Sequence, residues 1–168
     1  MKKISLHWKI IALTFFIVLF SFSVAGIFVL GNILETKEKD LSNRAMLLAR
    51  TVSELPEVKQ NIDKGIVASE TINPVVEEMR IINKADYIVV LNMNRIRLSH
   101  PIDRMIGTIS KTEDESAAFV EHTYLSKAKG EAGTVVRAFV PIMDDQYEQV
   151  GVVTVSYTHL TLPTMAVV

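Results

Sequence analysis

The feature that most limits what this chain can fold into is a stretch without charge. From Ile10 to Leu34 there is no Asp, Glu, Lys or Arg, and the only polar side chains are those of Thr14, Ser21, Ser23 and Asn32. Such a run is long enough to cross a bilayer as a helix, for which about 20 apolar residues suffice. Lys2, Lys3 and Lys9 precede it, while Glu35, Lys37, Glu38, Lys39 and Asp40 follow with no positive excess. The lysine bias predicts a cytoplasmic N-terminus over residues 1–9, a transmembrane helix over 10–34 and everything beyond it outside the cell membrane. A cleaved signal peptide is the competing reading, because Ser23-Val24-Ala25 forms a small-x-small site behind a basic start. Against it, the apolar run continues through Ile27, Phe28, Val29 and Leu30, longer than a typical signal-peptide core.

With 168 residues, 49% of them hydrophobic, the chain can bury one modest core beside this appendage. All 19 acids follow the apolar run, whereas three of the 18 bases precede it, so the outer part carries a net −4 against −1 for the whole chain. That balance argues against nucleic acid or an anionic membrane surface as a partner, and attraction for anions must come from a local cluster. The absence of cysteine removes disulfide frameworks, thiolate zinc sites and cysteine nucleophiles together.

Beyond the apolar run, Leu41, Ala45, Leu48, Val52 and Leu55 recur at spacings of four and three, one helical stripe that Pro56 stops. With no strong breaker between Leu34 and Leu41, the two helical stretches could form one rod coupling the outer domain to the membrane. The stripe either packs on the domain's sheet or pairs with a second copy in a coiled coil, and a homodimer is expected. Asn73-Pro74 predicts a helix over 74–83, capped by Asn73. The period then changes: "ADYIVVL" reads as a strand, "NMN" as a turn and "RIRLS" as an antiparallel return. "EDESAAFVEHT" reads as a short helix with acids at its start, followed by strand-like "TYLSKA" and a turn at "KGEAG". "TVVRAFVPIM" and "QVGVVTV" read as two further strands joined through Asp144-Asp145. The order predicts an α+β domain, an antiparallel sheet with helices on one side.

The chemistry concentrates in "RIRLSHPIDRMIG", where three arginines and a histidine surround a proline. Arginine offers a fixed fork of donors that grips a carboxylate with two parallel hydrogen bonds. Strict alternation would put Arg97 and His100 on opposite faces of a strand, but Pro101 breaks the ladder and lets the turn swing the imidazole back. On a later strand Arg137, Phe139 and Pro141 share one face, placing a second arginine beside an aromatic ring. A strand arginine is more often a solvated surface residue and a lone phenylalanine more often core, so an anion pocket competes here with ordinary structure. Glu113, Asp114 and Glu115 have no metal-ligand spacing, His122 and His159 have no partners at such spacing, and no glycine-rich phosphate loop occurs. Neither a metal nor a cofactor is expected.

"RLSHP" followed by "IG", together with "KGEAGTVVRAFVPIMD" followed by "QVGVVTV", resembles the sensing region of the citrate and C4-dicarboxylate family of bacterial sensor histidine kinases, over about residues 2–155. The resemblance implies an extracytoplasmic PAS-like domain over 35–155 that binds a small carboxylate. It implies carboxylate contacts from Arg97, His100 and Arg137, assisted by backbone amides at Ala132 and Gly133. Thr154 matches a hydroxyl-bearing position, and Tyr87 and Val89 match positions lining the pocket. Citrate sensors tend to have a hydroxyl at the position of Val89 and a lysine at that of Phe139, so the resemblance favours malate, fumarate or succinate over citrate. His100 should favour its charged form beside a bound carboxylate.

Beyond Val155, "SYTHLTLPTMAVV" is too short, too rich in threonine and too broken by Pro163 to span a bilayer. Residues 156–168 are therefore expected to be a truncated or foreign tail, with kinase domains absent from this polypeptide and a response regulator reached only through them. A sensing module of a chemoreceptor, or a membrane-anchored binding protein without enzymatic output, is the alternative from a different class.

Overall fold

The computed structural model describes the backbone of residues 6–130 and 133–159, and the side chains within those spans except at positions 6, 33–38, 113, 128–130, 133, 134 and 159. The chain divides between Lys39 and Asp40 into two compact units. The first helix, α1, is Leu6–Ser53. In the first unit its segment His7–Asn32 is long and apolar enough to cross a membrane, with 26 residues and a mean hydropathy of 2.6. At 1.5 Å per residue that segment spans ~39 Å, more than the hydrocarbon core of a bilayer. Every large apolar side chain from Trp8 to Leu30 is at least half exposed. A helix apolar on all sides suits lipid rather than water.

In the second unit a five-stranded sheet has the order β2-β1-β5-β4-β3, with every neighbouring pair antiparallel. The strands are β1 (Tyr87–Asn92), β2 (Arg97–Ser99), β3 (Tyr124–Gly130), β4 (Gly133–Met143) and β5 (Gln149–His159). Alternation divides the sheet into two faces. Ile88, Val90, Ala138, Val140, Ile142, Val153, Val155 and Tyr157 turn toward the helices and join Ala45, Leu48, Ala49 and Val52 of α1 in the main core. The stripe read from the spacing of Leu41, Ala45, Leu48, Val52 and Leu55 thus packs within its own domain, Leu41 and Leu55 being partly buried against the core. The core is completed by Val58 of α2 (Pro56–Lys59), by Ile62 and Ala68 of a 3-10 segment, and by Ile72 and Val76 of α3 (Ser69–Asn83).

Two boundaries differ from the sequence reading. The helix expected to open at Pro74 begins at Ser69, with Pro74 inside it. The proline lacks a donor for the carbonyl of Glu70. Pro74 sits on the exposed side, while Ile72 and Val76 are buried on the other and hold the helix across it. Asn73 is therefore no cap; its Oδ1 accepts a hydrogen bond from the backbone N–H of His100 at 3.1 Å.

The second concerns the end of the domain. β5 continues past Val155 through His159, because Ser156, Tyr157 and Thr158 keep the alternation and pair with β4. Tyr157 is buried, its hydroxyl donating to the Asn83 carbonyl at 3.0 Å. The sheet thus includes four residues expected to belong to a tail; residues 160–168 lie outside the described residues.

Candidate ligand-binding site

The face of the sheet turned away from the helices carries the chemistry. β1, β5 and β4 lie side by side, and their register sets residues abreast. Tyr87 is opposite Ser156, which is opposite Arg137. Two residues along, Val89, Thr154 and Phe139 form a second row. These residues, with Leu91, form the strand wall of a cavity of about 200 Å³. That is smaller than the roughly 300–1,000 Å³ of pockets for drug-sized ligands.

Arg97 and His100, from β2 and the turn after it, line the same cavity, as do Ser110, Thr112 and Glu115. Gly107 explains how the connecting loop returns. Its φ of 79° is a conformation that side-chained residues seldom adopt. It lets its own N–H donate to the Arg97 carbonyl at 2.8 Å while the Arg97 N–H donates to the Thr108 carbonyl at 3.0 Å. The loop then holds the guanidinium: Arg97 Nη1 donates to Thr108 Oγ1 at 2.8 Å and to the Ile109 carbonyl at 3.0 Å, and Nη2 to Ser110 Oγ at 3.2 Å.

Arg137 is fixed from another direction. Its Nη1 donates to Asp114 Oδ2 at 3.0 Å and Oδ1 at 3.2 Å. Ser126 Oγ donates to Asp114 Oδ2 at 3.0 Å, and the Tyr124 hydroxyl to the Asp114 carbonyl. Tyr124 also stacks on Phe139 with ring centroids 4.9 Å apart. Asp114 thus holds Arg137 in place. It belongs to a 3-10 helix, Glu113–Val120, rather than an α-helix, and among the described residues no cluster of three His, Cys, Asp or Glu side chains is arranged to hold a metal.

The His100 ring is nearly buried and lies 5.7 Å from the Tyr87 ring. Its Nδ1 accepts from the Ile102 N–H at 3.0 Å, which leaves Nε2 to carry the proton of the neutral ring. Burial, and next the Arg97 charge, push its pKa below the ordinary 6.5. Pro101 has turned the ring onto the cavity side, where strict alternation would not have put it.

Of the residues singled out in the sequence, Tyr87, Val89, Arg97, His100, Arg137, Phe139 and Thr154 surround this one cavity. Ala132 lies outside the described residues, and Gly133 opens β4 opposite Gly130. Arg104 is exposed and does not line it. Sequence reasoning missed Ser110, Thr112, Glu115 and Ser156 among the lining residues, and Asn73 and Asp114 behind them. Spacing holds no signal for these: they come from a loop, a 3-10 helix, the α3 face turned to the His100 turn, or a strand end whose composition resembles a tail.

The profile of single cache domain 3 (sCache_3_2) matches residues 35–160. The chain belongs to that family. A probable C4-dicarboxylate sensor kinase of Bacillus subtilis (strain 168) is 50% identical over 157 residues, covering 94% of this chain and 29% of the relative. Sensor histidine kinase DcuS of Escherichia coli (strain K12) is 33% identical over 115 residues, 68% of this chain and 21% of the relative. The chain thus spans less than a third of the length of these curated relatives. The crystal structure of the E. coli DcuS sensor domain superposes with a TM-score of 0.65 at 31% identity, covering 71% of this chain and 90% of that one. The V. cholerae DctB sensor domain shares the fold, with a TM-score of 0.59 at 13% identity. The PAS-like α+β domain implied by the resemblance is therefore the fold observed.

Proposed function

We propose that this chain is the extracytoplasmic sensing region of a membrane sensor histidine kinase, and that its cavity binds a small dicarboxylate of the C4 class. The observation that carries this reading is that Arg97 and Arg137, forty residues apart in sequence, line one small cavity with His100. Supporting groups hold both guanidinium groups, so little order is lost on binding. Arg97, His100 and Arg137 take the carboxylates, while Val89 and Phe139 pack against the carbon chain. An apolar Phe139 abreast of Thr154 offers no third cation, which favours two carboxylates over the three of citrate. The sensor-kinase relatives and the membrane-length helix among the described residues support transmission of binding across a membrane.

The test is titration calorimetry of the full chain in detergent micelles with malate, succinate and citrate. The C4 acids should bind and citrate should bind at least tenfold more weakly. Tighter binding of citrate would overturn the ligand assignment.

A further inference from the structure

Glu115 places an acid in a pocket that would hold acids, and it is 3% exposed. Its Oε2 accepts from Ser110 Oγ at 2.8 Å. Its Oε1 accepts no hydrogen bond among the described residues. Arg95 Nη1 is 3.9 Å away, beyond hydrogen-bond reach, and its guanidinium lies over the Phe119 ring, 4.9 Å from the centroid. Thr154 Oγ1 shares the condition. Among the described residues these two are the buried side-chain polar atoms without a hydrogen-bond partner, and both residues line this cavity.

Buried polar atoms are ordinarily hydrogen-bonded, so each orphan asks for a partner of definite kind. Thr154 can donate to a carboxylate. An ionised Glu115 can only accept, and a ligand whose polar atoms are all carboxylate oxygens sets like charge against it. A ligand hydroxyl both donates and accepts. We propose that Glu115 is a specificity-determining residue whose Oε1 accepts a hydrogen bond from a hydroxyl on the ligand's carbon chain, so that the site selects hydroxy-dicarboxylates over unsubstituted ones. The inference rests on the dicarboxylate reading above.

The surroundings fit the role. Ser110 Oγ receives Arg97 Nη2 and donates to Glu115, so cation and acid are held by one hydroxyl. The charged groups around Glu115 are Arg95, Arg97 and Asp114. Burial pushes its carboxyl above the usual range, and the Ser110 hydrogen bond and the charges of Arg95 and Arg97 pull it back.

The experiment compares L-malate with succinate by calorimetry on the full chain in micelles, for the natural protein and for Glu115→Gln. The Gln amide donates as well as accepts, so it can face either a carboxylate or a hydroxyl. Malate should bind the natural protein roughly tenfold or more tightly than succinate. The ratio should shrink to about twofold in Glu115→Gln, mainly through stronger succinate binding. Equal binding of both acids by the natural protein overturns the inference and leaves the dicarboxylate reading intact, and this comparison stands whether or not the variant folds. A malate preference that survives Glu115→Gln unchanged also overturns it. Failure of both acids to bind removes the underlying reading and the inference with it.

Discussion

Burial and the neighbouring Arg97 charge hold the His100 imidazole below its ordinary pKa of 6.5. In the folded, ligand-free domain the neutral ring is favoured, so the unfolded chain takes up the proton first as pH falls through 6.5. Acidification should therefore destabilise the domain through His100, and the downward slope of melting temperature should be shallower in His100→Asn. A carboxylate beside the ring acts in the opposite sense and raises the pKa. Binding should then take up a proton, and affinity should decline as pH rises through the pKa of the bound form. Calorimetry from mildly acidic to mildly alkaline solution checks this, and a flat profile would refute the His100 contact. Pro101 makes the position of His100 legible in the sequence, because it forbids continuation of the strand that would have faced the ring away. Glu115 is legible there only as one acid among three at a helix start. Its burial depends on the fold of the loop that carries Ser110, which no local spacing encodes.

Among the elements, β5 is the central strand of the sheet, pairing with both β1 and β4. Gly151 within it lies opposite Asn92 and Ile142. A Cβ there would collide with the Leu91 carbonyl and with the Ile62 side chain. The carbonyl cannot move without disturbing the ladder, so Gly151→Ala should cost about 1–3 kcal/mol, as overpacking of a filled interior does. Thermal denaturation measures it, and an unchanged melting temperature would mean that β1 and β5 can slide apart at that point. The runs that form β1, β4 and β5 are plain in the sequence, since they are rich in β-branched and aromatic residues. Two other elements are not. Pro74 reads as a helix start because local chemistry permits it there, while buried neighbours on both sides carry α3 through it. The segment at 113–120 has helical composition, yet Asp114 is drawn to Arg137 and Glu115 to Ser110, and it winds as a 3-10 helix.

For the whole molecule, charge asymmetry about His7–Asn32 predicts which side of the membrane holds the cache domain. The chain has no cysteine, so single introduced thiols report cleanly. A cysteine replacing exposed Lys111 should react with a membrane-impermeant maleimide in intact cells stripped of their wall, and one replacing Lys3 only after lysis. The reverse pattern would invert the topology. The fold class and the long apolar helix are legible in the amino-acid sequence, because hydropathy and period act over many residues and average out local error. The abreast rows of Tyr87, Ser156 and Arg137 are not, because register between distant strands is settled only when the whole sheet closes. Two arginines that jointly grip one small acid are tested by malate titration of Arg97→Ala and Arg137→Ala, with melting temperature as a control. Charge-assisted hydrogen bonds contribute about 1.5–3 kcal/mol each. Each folded variant should therefore lose malate affinity by tenfold or more, whereas affinity retained by either one would contradict the shared grip.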